Sequence, residues 1–360
     1  MIEYYKGTET QRPLQAVQLK PAVRSNGPEG YTAAHDLAAA VNVALILGKP
    51  LLVTGEPGTG KTELAGHVAM ALGLEPPERF DTRSSSQASE LFYRFDSLSR
   101  FHWANRGSDE EAKRPALEFV TFGPLGNAIL RSLDPGNPLF EILGMSHPSS
   151  KQVPDGMAKR SVVLIDEIDK APRDFPNDLL DAIDHLRFSI RELEKPTLER
   201  LVDQFGSTDI AADPKLRPVV IITSNSEKNL PPAFLRRCVY FHIPFPDPGR
   251  LRAIVARRIG TAEPPTDAQT QSSDEKSQSL LRDAVAFFEA IRALDLRKRP
   301  STAELIDWMQ YLLKSGAHTT DELTQWAPVV HSSLGILVKS VEDFELVRGL
   351  AKERVPLPKS

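Results

Sequence analysis

The stretch LLVTGEPGTGKTELAGHVAMALG, residues 51–73, decides how the rest of this chain is read. It opens on Leu51, Leu52 and Val53, the unbroken apolar run that a parallel strand buried on both faces requires. It closes on a helical pattern. Leu64, Ala65, Val68, Ala69 and Leu72 recur at three- and four-residue spacing, and Gly73 stands where a helix commonly stops. Between them, Gly55-Glu56-Pro57-Gly58-Thr59-Gly60-Lys61-Thr62 matches G-x-x-x-x-G-K-[ST] in the strand–turn–helix setting that gives the pattern its meaning. The glycines let the backbone curl until successive N–H groups face phosphate oxygens. The helix that follows, with Glu63 in its first turn, adds the positive end of its dipole. Lys61 has the reach for β- and γ-phosphates, and Thr62 offers a hydroxyl to Mg²⁺. Residues 55–63 are therefore the candidate nucleotide-binding loop. A glycine-rich turn that merely joined a strand to a helix would not need every fixed position at once.

The chain has 360 residues, of which 41% are hydrophobic and 26% charged, which predicts a globular protein with room for about two domains. A formal net charge of −4 supplies no electrostatic argument for nucleic acid or an anionic membrane. The single cysteine, Cys238, excludes an intramolecular disulfide and a cysteine-rich metal site. The first residues, MIEYYKGTET, lack the basic and apolar regions of a signal peptide, and the apolar run 37–47 is interrupted by Asn42 and too short to span a bilayer. A cytoplasmic protein is expected.

Working outward, residues 1–30 read as an arm with little regular structure, and 36–48 as an amphipathic helix leading into the loop strand. Tyr31 suits either a place near a bound base or a packing role. The second anchor is SVVLIDEIDK, residues 161–170, another doubly buried strand ending in Asp166-Glu167. An acid at that strand end supports a Mg²⁺ shell, and a glutamate after it can accept a proton from attacking water. A third β-branched run, 218–225, ends in Asn225, which either orients that water or simply turns the chain. A short helix ends in Arg236-Arg237 before a strand at 239–243. The two arginines complement the helix dipole or serve as a finger reaching a neighbouring subunit's γ-phosphate. Short strands are also expected at 79–82 and 117–122. Within 83–160, LFYRFDSLSRFHWANR mixes aromatics with arginines. That mixture suits a packed interface with a solvated rim better than nucleic-acid binding, because no base-stacking fold signature accompanies it. Beyond 249 the pattern is helical, at 250–259, 280–294, 301–314 and 321–352, with an exposed polar loop at 261–279 and a capping box from Ser301 to Glu304.

In this order GEPGTGKT, LIDEID, TSN, a helix ending in Arg-Arg and an all-helical tail resemble an AAA+ ATPase, and FVTFGPLGNAIL, DEIDKAPRDFPNDLLDAI and NLPPAFLRRC resemble its MoxR group. The resemblance implies an α/β phosphate-loop NTPase core with a five-stranded parallel sheet ordered 5-1-4-3-2 and an α-helical lid. It implies an arm at 1–30, a nucleotide-binding core at 31–248, a lid at 249–316 and a C-terminal helical extension at 317–360. It further implies a helical insertion within 83–160 and a hairpin near 186–193. ATP and Mg²⁺ are the implied cofactors, with Lys61 on phosphate, Thr62 and Asp166 on the metal, Glu167 on water, Asn225 as first sensor, and Arg237 with Arg236 as the finger in trans. The group's second sensor arginine falls where this chain has Ser301, Thr302 and Ala303, which leaves Lys298 or Arg299 as substitutes. The implied activity is ATP hydrolysis in a homo-oligomeric ring, most simply a hexamer, that remodels a protein partner, including partners carrying a von Willebrand factor A domain. A slowly hydrolysing ATP-dependent scaffold or switch, and a nucleic-acid motor, are the alternative readings. Neither a membrane nor nucleic acid is an expected partner.

Overall fold

The computed structural model describes residues 31, 33–104, 114–148, 157–226, 230–260 and 279–358. The expected arm 1–30 and most of the polar loop 261–279 lie outside the described residues. The chain divides into two compact units, one comprising Tyr31–Gly55 and Gly60–Ile243, the other including Glu56–Thr59 and Pro244–Ser360.

In chain order the strands of the first unit are β1 (Leu51–Gly55), β2 (Glu78–Asp81), β3 (Tyr93–Phe95), β4 (Val120–Phe122), β5 (Val162–Asp166), β6 (Arg187–Phe188), β7 (Ile210–Ala211), β8 (Val219–Ser224) and β9 (Val239–Ile243). Five of them form the central sheet in the order β2-β5-β8-β1-β9, with every pairing parallel. Counting all strands, the order runs 2-5-8-1-9 because two hairpins intervene. Counting only the sheet's own strands from the β9 edge, it runs 5-1-4-3-2. The apolar runs read from sequence follow from this placement. Leu52, Val163, Ile165, Val220 and Ile222 feed the core on one face of the sheet, while Leu51, Val53, Val162, Leu164 and Ile221 feed the other. Side chains alternate across a strand, so the three central strands, covered on both sides, show unbroken apolar runs rather than polar alternation.

Helix α1 (His35–Leu47) precedes β1, and α2 (Lys61–Ala71) follows the loop. Leu64, Ala65, Val68 and Ala69 are buried on α2 as its spacing demands, but Leu72 is 42% exposed. It has already left the helix as its cap, and Gly73 takes the positive φ of 65° that ends the turn. Where a strand was expected over 117–122, a 3₁₀ turn at Ala116–Phe119 takes up the first half and only β4 is extended. β3 pairs antiparallel with β4, and β6 with β7, the second hairpin enclosing the helix Lys195–Phe205. The first part of the aromatic segment packs inward, whereas Phe101 on the following helix is 63% exposed. Phe92 stacks on Phe188 with ring centroids 5.5 Å apart, and the Tyr93 hydroxyl donates to Glu192 at 2.9 Å.

The second unit is built from the helices Pro248–Ile259, Ser279–Arg292, Thr302–Lys314, Ala327–Ser333 and Val341–Arg354. Trp308, Phe288, Leu312, Val330, Val347 and Ala351 share its core, so residues before and after 317 bury the same apolar surface. The expected continuous helix over 321–352 is instead broken into a 3₁₀ turn, a short helix, a second 3₁₀ turn at Leu334–Ile336 and the final helix. Two residues account for the break. Pro328 suits only the first turn of a helix, and the Ser340 hydroxyl accepts the Asp343 N–H at 3.1 Å, starting the final helix afresh. The Ser301–Glu304 capping box forms as expected. Among the described residues, no helix is long and apolar enough to cross a membrane.

Candidate functional site

The parallel register brings the ends of β1, β5 and β8 to one edge: Ile165 lies level with Ile222, and Ile222 with Leu52. α2 starts at that edge. Its cap, Gly60, has φ 85°, a left-handed conformation that a side chain would strain, and a Cβ there would lie 2.8 Å from the Tyr31 ring. Tyr31 therefore lies against the loop itself, with its ring 5.3 Å from that of His67.

Lys61 is only 7% exposed. Its ammonium donates to the Gly55 carbonyl at 2.8 Å and to Asn225 Oδ1 at 3.1 Å. Burial pulls its pKa below 10.5, opposed by the acids Asp169, Asp166, Glu167 and Glu63. Thr62 Oγ1 donates to both oxygens of Asp166, at 3.1 and 3.2 Å. Asp166 is 3% exposed and also accepts from Thr223 Oγ1 at 2.5 Å. Thr223 in turn accepts the Glu167 backbone N–H at 2.8 Å. Glu167 takes a left-handed φ of 55°, unusual for a residue with a side chain, and its carboxylate meets Lys170 at 2.5 Å.

Three residues missed in the sequence belong to this network. Asp169, on the 3₁₀ turn Ile168–Lys170, accepts the Asn225 backbone N–H at 3.0 Å, the Asn225 side-chain amide at 3.4 Å and the Ser224 hydroxyl at 3.1 Å. Thr223 bridges Asp166 and Glu167. Arg79, on β2, donates to Asp166 Oδ2 at 2.8 Å. Asp169 was visible as the fourth residue of DEID. The other two carried no local signal, because their roles arise from strand neighbours far apart in sequence.

In the second unit, the loop tip has partners of its own. Thr59 Oγ1 donates to the Glu56 carbonyl at 2.8 Å, and a Cβ on Gly58 would lie 3.1 Å from Ser301 and from the Ala303 nitrogen. Pro57 is exposed. Glu56 is met by Arg292 at 2.7 Å, whose guanidinium also lies 3.5 Å over the Phe245 ring and donates to the Pro300 carbonyl. Lys298 and Arg299 are exposed, and the Lys298 backbone N–H is held by the buried Asp343 at 3.2 Å. Among the described residues, Arg292 is thus a cation that meets the loop tip. At the far end of the sheet sequence, Arg236 is part of the short turn before β9, while Arg237 is paired with Asp184 at 2.5 Å and donates to the Ala233 carbonyl. Burial pushes the Cys238 thiol up to about 12, which leaves it without nucleophilic thiolate at neutral pH.

The donor set suits Mg²⁺. Thr62 and Asp166 offer hard oxygen ligands, and no cluster of three or more His, Cys, Asp or Glu able to hold a metal occurs among the described residues. Mg²⁺ is usually held through one or two carboxylates together with substrate phosphates and waters rather than by an all-protein cage.

Among protein families, the profile described as "AAA domain (dynein-related subfamily)" matches residues 50–238, a span that holds the phosphate loop, the acidic strand and Asn225. Nothing among curated protein sequences matches the chain. Among solved structures, a proline-to-glycine mutant of Thermotoga maritima RuvB is similar at 15% identity and a TM-score of 0.41, over 87% of this chain and 73% of that one.

Proposed function

The chain belongs to the dynein-related subfamily of AAA domains, and from that premise we propose that it is a Mg-ATP-dependent ATPase of MoxR-like type. In this reading, hydrolysis in an oligomeric ring, most simply a hexamer, remodels or activates a protein partner. The reading extends to partners with a von Willebrand factor A domain.

One observation carries the reading: two hydrogen-bonded groups, Lys61–Asn225–Asp169 and Thr62–Asp166–Thr223, lie side by side at the strand edge. Lys61 offsets charge on the phosphates, and Thr62 with Asp166 holds the Mg²⁺, which when bound supplies charge neutralisation at the transferred phosphoryl group. Glu167 accepts the proton from attacking water, and Asn225 orients that water. Both act mainly through position, which is why their backbone anchors matter. Arg237, with Arg236 beside it, is the finger offered to a neighbouring subunit, and Lys298, Arg299 or Arg292 answers for the second sensor.

Glu167→Gln tests the proposal. It retains Mg-ATP binding and lowers turnover by ~10²-fold or more, the usual scale for losing a positioned base. Turnover close to wild type in a steady-state phosphate-release assay would assign the proton to another group. A slow-turnover scaffold would show ATP-dependent assembly that Glu167→Gln leaves unaltered together with negligible wild-type hydrolysis.

A further inference from the structure

Asp166 has acceptor oxygens to spare for a metal-bound water only if its present donors yield. Three side chains occupy it: Thr223 on Oδ1, Thr62 on both oxygens, and Arg79 on Oδ2 at 2.8 Å. The two threonines are neutral and belong to the strand edge and the loop. Arg79 is the cation among them, and it arrives from β2 at the sheet margin.

The two halves of this ion pair differ in freedom. The Asp166 side chain is 5% exposed and fixed by its threonines, whereas the Arg79 side chain is 51% exposed. Arg79 also has somewhere else to go. Its Nε already donates to Asp81 at 2.6 Å, and Asp81 lies two residues along β2 on the same strand face, 61% exposed. A guanidinium N–H and a water on Mg²⁺ are equivalent demands on a carboxylate oxygen, since each brings a donor backed by positive charge. Both cannot use Oδ2 at full strength, and their like charges repel.

We propose that Arg79 is a positioning residue that stands in for the metal at Asp166, holding the carboxylate in place while the site lacks Mg²⁺ and setting how much Mg²⁺ is needed to displace it. On metal entry the guanidinium swings onto Asp81. The proposal rests on the reading of this loop as a Mg-nucleotide site and deepens it: the site's metal requirement is set from β2, by a residue outside the phosphate loop and the acidic strand.

The test is a Mg²⁺ titration of binding to a fluorescent, non-hydrolysable ATP analogue, alongside thermal melts in a chelator. Arg79→Gln lowers the Mg²⁺ concentration for half-maximal binding by about tenfold, the scale on which one charge-assisted contact competes. In the chelator it melts earlier than wild type, because Asp166 loses its countercharge. Arg79→Lys, whose single ammonium cannot bridge Asp81 and Asp166, shifts the Mg²⁺ requirement the same way by a smaller factor, and is read alone if the Gln variant does not fold. An unchanged or increased Mg²⁺ requirement in the folded variant overturns the proposal, since Arg79 would then orient the acid for metal rather than hold its place. Absence of analogue binding by the wild type, at any Mg²⁺ concentration, overturns the functional reading and this proposal with it.

Discussion

Lys61 illustrates how one residue's burial sets two opposite pH responses. Its folded pKa lies below the unfolded value of 10.5. Between those two values the unfolded chain binds more protons, so folding stability rises with pH across that window as the buried charge is relieved. With Lys61 on phosphate, as proposed, phosphate affinity should run the other way, because the ammonium is lost as pH passes the lowered value. Nucleotide affinity should therefore weaken on the alkaline side before an ordinary lysine would titrate. A profile that stays flat until pH about 10.5 would show that Lys61 keeps a normal pKa. Asp169 makes the second residue-scale prediction. It touches neither phosphate nor water in this reading, yet it fixes both the backbone and the amide of Asn225. Asp169→Ala should leave nucleotide affinity within a few-fold while turnover falls by up to ~10²-fold, the cost of a small misplacement at a reacting centre. Equal loss in affinity and turnover would instead mean a general collapse of the strand edge.

At the scale of elements, the final helix of the second unit begins where side chains cap it rather than where hydrophobic periodicity starts. Val341, its first residue, is 80% exposed and contributes nothing to the core, whereas Ser340 and the buried Asp343 tie the turn down. Asp343 does more, accepting the backbone N–H groups of Arg297 at 3.0 Å and Lys298 at 3.2 Å, and so joins the C-terminal helix to the segment before the helix Thr302–Lys314. Ser340→Ala should cost about 1 kcal/mol of stability by loss of the cap. A denaturant titration decides it, and no change in midpoint would mean that Asp343 alone starts the helix.

For the whole molecule the question is whether catalysis is complete within one chain. Arg237 follows the short helix Pro232–Leu235 and precedes β9 at the sheet's edge, and within its own chain it is engaged by Asp184. As a finger it would have to leave that partner, with a planar fork that stays charged at any working pH. Arg237→Ala should then lower turnover by about 10³–10⁵, as such fingers do in related phosphate-loop enzymes, whereas a surface ion pair would leave turnover nearly intact. Mixing Arg237→Ala with Lys61→Ala subunits should restore part of the activity, because some interfaces then carry both an intact finger and an intact loop. Co-assembled mixtures that remain dead would move the role to Arg236 or elsewhere.

The sequence by itself determined the parts whose physics is local. A strand buried on both faces needs a run of consecutive apolar residues, a phosphate cradle needs glycines at fixed spacing, and a capping box needs its serine and glutamate three residues apart. That is why Gly55–Thr62, the apolar strands ending in Asp166-Glu167 and Asn225, and the Ser301 cap could be singled out before any coordinates. Only the tertiary structure decided who partners whom. Arg79 meets Asp166 and Thr223 meets Glu167 because β2, β5 and β8 lie side by side in a particular register, and Arg292 rather than Lys298 or Arg299 reaches Glu56 because helix packing selects one cation among several. The break in the C-terminal helix was hidden for a related reason: periodicity reports which face is apolar, but where a helix stops depends on caps and on the shared core it must close around.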